Sequence, residues 1–140
     1  HFYQDYEFEN EFSKNFLEQF PYPKIKPMLY FADWAEELGE LYKDAKYHGN
    51  TATFPGFYAP QGRQLRLKAV DDKFLETLND LGVTNFEMET SAIYALSKLL
   101  GHKAITVNNV IANRRRGEFS ADHHASEKNL IEWVLERIIK

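Results

Sequence analysis

In the stretch "FPGFYAPQGRQLRL", residues 54–67, Gln61 and Arg63 stand two positions apart behind a run of aromatic, proline and glycine residues. A glutamine amide offers an acceptor and a donor side by side, and an arginine adds donors in a fixed fork. Together they match an imide edge, C=O, N–H, C=O, of the kind uracil carries. Phe57 adds a flat apolar wall against which such a ring can stack. Taken alone, a Q-x-R spacing is more often a surface turn with a solvated arginine, so the pair needs support from elsewhere in the chain.

Two further clusters carry chemistry. In "FEMET", residues 86–90, Glu89 is expected to open a helix. A carboxylate there gains from the helix dipole, stays ionised, and can accept from a pair of ribose hydroxyls, with Met88 packed on the sugar. The alternative is that Glu89 caps the helix and Met88 is core, and the residues alone leave the two readings level. In "IANRRR", residues 111–116, Asn113 and Arg114 follow an apolar run. The triplet Arg114, Arg115 and Arg116 has no wider basic face around it, so a solvated turn explains it better than a nucleic-acid contact. His123 and His124 are adjacent, which is expected to turn their side chains apart, and no H-E-x-x-H spacing is present, so no metal is predicted. There is no G-x-G-x-x-G and no P-loop.

These clusters need elements to hold them. Four segments have helical grammar: "DWAEELGELY" with Asp33 as N-cap and Trp34, Leu38, Leu41 and Tyr42 inward; "DDKFLETLNDLG" with Phe74, Leu75, Leu78 and Leu81 inward and Gly82 as the stop; "ETSAIYALSKLLG" with Ala92, Leu96, Leu99 and Leu100 inward and Gly101 as the stop; and "EKNLIEWVLERIIK" with a stripe of Leu130, Ile131, Val134, Leu135 and Ile138. Between them "KPMLYFA", "NTATFPGFY", "TNFEME" and "KAITVNNVIA" are short and rich in β-branched or aromatic residues, as strands are. The last is nearly continuously apolar, which suits a strand covered on both faces. The alternation predicts an α/β fold, a β-sheet flanked by helices, and in such sheets ligands gather at the carboxyl ends of strands. All three clusters fall there.

The bulk composition sets the outer limits. With 140 residues, 44% of them hydrophobic and 27% charged, the chain can bury a core and is not of the disordered class. A net charge of -4 gives no field for nucleic acid or an anionic membrane, and a small ligand of little charge fits better. The absence of cysteine excludes disulfides and thiol chemistry and is compatible with a cytoplasmic location. No apolar run is long enough to span a membrane. The chain opens on His1-Phe2-Tyr3 without methionine, and is expected to be part of a longer protein.

Taken in order, "GFYAPQGRQLR", "NFEMETSAIYALSKLLGHKAITVNNVIANR" and the closing amphipathic segment resemble the uridine phosphorylases of the nucleoside phosphorylase family. The resemblance spans nearly all of this chain but only the C-terminal part of a family member, so the expected fold is the C-terminal portion of a nucleoside phosphorylase-like α/β domain with a mixed sheet. Three ordered motifs are far more specific than any one, and they turn the balance at Gln61, Arg63 and Glu89 toward a site.

The resemblance implies that Gln61 and Arg63 hold the uracil edge, with Phe57, Phe86, Ile111, Ala112 and Arg114 completing the base pocket. Met88 and Glu89 would meet the ribose, and Arg63 and Glu89 would carry the catalytic load; no role is assigned to Glu87. Purine-specific relatives usually place an aspartate at the end of the buried strand to protonate N7, whereas Ala112 and Asn113 stand there in this chain. The implied reaction is reversible phosphorolysis of uridine to uracil and ribose 1-phosphate, with phosphate as co-substrate, no cofactor, and a homo-oligomer whose subunits share the site. The phosphate-gripping loop of the family lies upstream of the matched part, which leaves open a non-catalytic homologue, or a purine phosphorylase or nucleosidase of the same superfamily.

Overall fold

The structure is a computed structural model, and it describes residues 9–56, 58, 73–113 and 115–139. The first element, α1 (Glu11–Gln19), has no counterpart among the expected helices, although its signals are ordinary. Asn10 accepts from the Ser13 amide at 2.8 Å while the Ser13 hydroxyl answers the Asn10 amide at 2.9 Å, a reciprocal cap. Phe12, Phe16 and Phe20 then recur at i, i+4 and i+8, placing three rings along one side. Phe16 and Phe20 are buried and stack at 5.2 Å, and with Phe74, Leu78 and Val83 they form the core. Phe12, Tyr22, Phe31, Phe54 and Phe86 pack around that nucleus.

The segment "KPMLYFA", expected as a strand, is not one. Residues Lys26–Met28 make a single 3-10 turn with Pro27 in its first positions, where the fixed φ and missing N–H of proline are tolerated, and residues 29–35 have no regular structure. Helix α2 (Glu36–Leu41) is where the pattern put it, but its cap is Ala35, and the Asp33 carboxylate instead accepts from the Trp34 amide at 2.9 Å. Of the face expected inward, Tyr42 is buried while Trp34 and Leu41 are exposed.

Strand β1 (Asn50–Thr53) and strand β2 (Val83–Glu87) pair in parallel, Ala52 opposite Phe86 and Thr53 opposite Glu87. Between them lies α3 (Phe74–Asp80), which buries Phe74 and Leu78 as its apolar spacing requires. Gly82 (φ +88°) closes it, its amide bonded to the Asn79 carbonyl at 2.9 Å. Helix α4 (Thr90–Leu99) follows β2 directly and ends at Gly101 (φ +73°), where the His102 amide returns to the Ser97 carbonyl at 2.7 Å in a Schellman closure.

The inward face of α4 is Thr90, Tyr94 and Ala95; Leu96, Leu99 and Leu100, expected inside, are exposed. A helix apolar on more than one side has its buried face chosen by what lies beside it. Here the choice goes to Tyr94, whose hydroxyl finds Thr106.

The segment "KAITVNNVIA" departs furthest from expectation. Residues 102–111 belong to no helix or strand, and only Ala112–Asn113 (β3) pairs, antiparallel, with Glu118–Phe119 (β4). A strand needs a ladder of hydrogen-bonded neighbours, and among the described residues this run has isolated bonds instead, from the Ala35 amide to the Ala104 carbonyl at 2.9 Å and from the Ser120 amide to the Ile111 carbonyl at 2.8 Å. Instead of one mixed sheet flanked by helices, the described residues form two separate two-stranded sheets, an arrangement compatible with an α/β fold.

The closing helix α5 (His123–Ile138) starts four residues earlier than the segment expected from Glu127 onward, capped by Asp122. Arg137 lies over the Trp133 ring at 3.7 Å and bridges to Asp44 at 2.5 Å, fastening α5 to the turn after α2. Ile131, Leu135 and Ile138 of the expected inward stripe are exposed. The rings of His123 and His124, expected to diverge, lie 4.1 Å apart. Among the described residues no group of three metal-capable side chains assembles, and no helix is long and apolar enough to cross a membrane.

Candidate functional site at the end of the parallel strand pair

Because β1 and β2 pair in parallel, in one register from Thr51 opposite Asn85 onward after a shift at Asn50, Thr53 and Glu87 finish their strands side by side. Beyond them the chain turns within two residues into α4, whose first amides have no partner inside the helix. Glu87 reaches over the turn to supply one. One of its oxygens accepts the amides of Glu89 at 2.7 Å and Thr90 at 2.6 Å, and the other accepts the Thr53 hydroxyl at 2.5 Å. The Thr53 oxygen in turn accepts the Ser91 amide at 3.0 Å. Three consecutive amides at the head of α4 are thereby held by two side chains at the ends of the strands.

Burial pushes the Glu87 carboxyl upward, but the hydrogen bonds from Thr53, the Glu89 and Thr90 amides, and the Thr90 hydroxyl outweigh it and hold the group below its ordinary range. Glu87 therefore sits ionised and fully engaged. Thr90 extends the network to Thr106 (3.3 Å), which accepts or donates to the Tyr94 hydroxyl at 2.9 Å, and Tyr30 meets Ser91 at 2.6 Å.

This arrangement bears on the two readings of Glu89. Glu89 occupies the N-cap position of α4, yet its side chain makes no capping bond. Among the described residues its carboxylate meets the Met88 amide at 3.2 Å and is otherwise open, and Met88 beside it is 43% exposed, so neither is spent on cap or core. Capping has been taken over by Glu87, two residues earlier. The sequence signal for this was the E-x-x-T spacing of Glu87 and Thr90 directly after a strand, together with a threonine closing the partner strand.

The other expected site residues are distributed unevenly. Phe86 is half-buried, edge-on to Phe54 at 5.4 Å and packed against the aromatic core. Ile111 and Ala112 line a shallow open concavity of about 200 Å³ with Val110, Asn113, Glu118, Phe119 and Ser120; Met88 and Glu89 are not part of its lining. Thr106, bonded to Thr90 and Tyr94, ties the chain leading to that concavity to the head of α4. Phe57, Gln61, Arg63 and Arg114 lie outside the described residues.

The chain is similar to a curated uridine phosphorylase of Thermococcus kodakarensis, 36% identical over 132 residues, covering 83% of this chain and 46% of that protein. The chain thus spans about half the length of the curated relative it matches. No family model and no solved structure matches it.

Proposed function

We propose that this chain belongs with the nucleoside phosphorylases and forms the C-terminal part of a domain that cleaves uridine by reversible phosphorolysis, giving uracil and ribose 1-phosphate. The similarity to a uridine phosphorylase supports the family-level reading. The observation that carries the site is the division of labour between two carboxylates, Glu87 bound up in the fold and Glu89 left open beside an exposed Met88. In this reading Glu89 accepts from the ribose hydroxyls and Met88 packs on the sugar. Phe57, Gln61, Arg63, Phe86, Ile111, Ala112 and Arg114 surround the uracil.

As the glycosidic bond breaks, charge gathers on the departing uracil and the ribose becomes cationic. Donors from Gln61 and Arg63 fixed at the uracil edge stabilise that charge more than they stabilise the ground state, and the negative Glu89 favours the cationic sugar. Phosphate attacks C1′, so no covalent intermediate on the protein is required. The reading includes a cytoplasmic homo-oligomer with a site shared between subunits, and a phosphate grip contributed by the other half of the domain.

The test is release of uracil from uridine. The chain combined with the N-terminal half of the domain is expected to release uracil only when phosphate is present. Equal release without phosphate would make the protein a nucleosidase, faster cleavage of inosine than uridine would remove the pyrimidine assignment, and turnover by the 140-residue chain unaided would end the view that phosphate is held elsewhere.

A further inference from the structure

We infer that Glu87, together with Thr53, is the positioning residue of this site: it fixes the Met88–Glu89 turn so that the Glu89 carboxylate stands free for a ligand's vicinal hydroxyls. The inference rests on the nucleoside reading for the identity of the ligand, but its structural content is independent of it. The sequence brings two potential capping carboxylates to one helix start, and only one can accept the leading amides. Glu87 takes the Glu89 and Thr90 amides, and Thr53 takes the Ser91 amide. The Phe54 amide also binds the Glu87 carbonyl at 2.9 Å, so backbone and side chain of Glu87 both hold the end of β1. The turn is thus anchored at its strand side and at its helix side by the same residue. Without Glu87 the leading amides would be open, and Glu89, already at the N-cap position, is the nearest acceptor. Loss of Glu87 therefore does more than loosen the turn, because it gives Glu89 a competing task and withdraws it from the ligand.

The experiment uses the chain combined with the N-terminal half of the domain, carrying Glu87→Ala, Glu87→Gln or Glu89→Gln. Backbone amide exchange at residues 89, 90 and 91, the carboxyl carbon resonance of Glu89, and uridine titration are followed by NMR. Glu87→Ala is expected to speed exchange at the three amides by about tenfold, move the Glu89 carboxyl resonance, and weaken uridine binding by about tenfold, the size of one lost charge-assisted hydrogen bond. Glu87→Gln keeps one acceptor oxygen and should fall between Ala and wild type in all three. A shift of the Glu89 resonance is the readout that general loosening elsewhere would not produce. Unchanged exchange at 89–91 and an unmoved Glu89 resonance in Glu87→Ala would overturn the inference. If uridine fails to perturb wild-type Glu89 while the exchange and resonance changes occur, the positioning role stands and the nucleoside reading falls.

Discussion

The hydroxyl of Tyr94 lies 2.9 Å from Oγ1 of Thr106 and also accepts the Thr106 amide at 2.9 Å, so one buried phenol holds both backbone and side chain of a segment with no ladder of its own. Tyr94→Phe keeps the ring and deletes only these bonds, leaving the Thr106 amide without that acceptor. It is expected to destabilise the chain by about 1–3 kcal/mol. A urea midpoint that moves while the slope does not would report that loss cleanly.

How much of this was legible beforehand depended on whether the deciding partner was local. Gly82 and Gly101 close α3 and α4 with positive φ, as their positions after each apolar stripe predict, because helix termination is settled within a few residues. Phe74 and Leu78 are inward for the same reason. Leu96 and Leu99 are outside because the inward face of α4 was settled by Thr106, beyond the helix's own sequence. The run 103–112 reads as a two-face-buried strand from its apolarity, and apolarity does not supply a neighbouring ladder. At the site, the open position of Glu89 was one of two level readings, and it turned on Glu87 and Thr53 meeting across paired strands, a register no single segment encodes.

Stability should depend on pH through Glu87. Its folded carboxyl titrates below the ordinary value of 4.5, so the group favours the folded state fully above the unfolded carboxyl's range, and that contribution is lost as pH falls through the depressed folded value. The stability difference between wild type and Glu87→Gln should therefore be constant near neutrality and shrink below about pH 4.5. A difference that grew on acidification would contradict the assignment of Glu87 as the bound anion.

Glu89→Gln separates ligand binding from folding. Because the Glu89 side chain does not cap α4, its replacement should change stability by less than about 0.5 kcal/mol. Nucleoside affinity, measured by calorimetry or NMR titration, should fall about tenfold, since a neutral amide is the weaker acceptor for hydroxyls. A large drop in thermal stability would return Glu89 to the role of helix cap.

For Arg63 the expectation is kinetic. On the proposed phosphorolysis, Arg63→Ala in the chain combined with the N-terminal half of the domain should lower kcat and kcat/KM together by about ten- to a thousandfold, as removal of a donor that strengthens in the transition state does. A rise in KM with kcat unchanged would make Arg63 a uniform binding contact.

The unladdered run 104–111, "AITVNNVI", is uncharged, rich in β-branched residues and free of proline, which is the composition of a segment able to template cross-β growth. In the folded chain Tyr94 holds it at Thr106, and Ser126 of α5 holds it at Asn109 through a 2.9 Å bond. Lys103, paired with Glu37 at 3.0 Å, and the exposed Arg115 and Arg116 bracket it with charge. These cations thus act as gatekeepers: they oppose stacking of like segments whenever the tethers to α4 and α5 open.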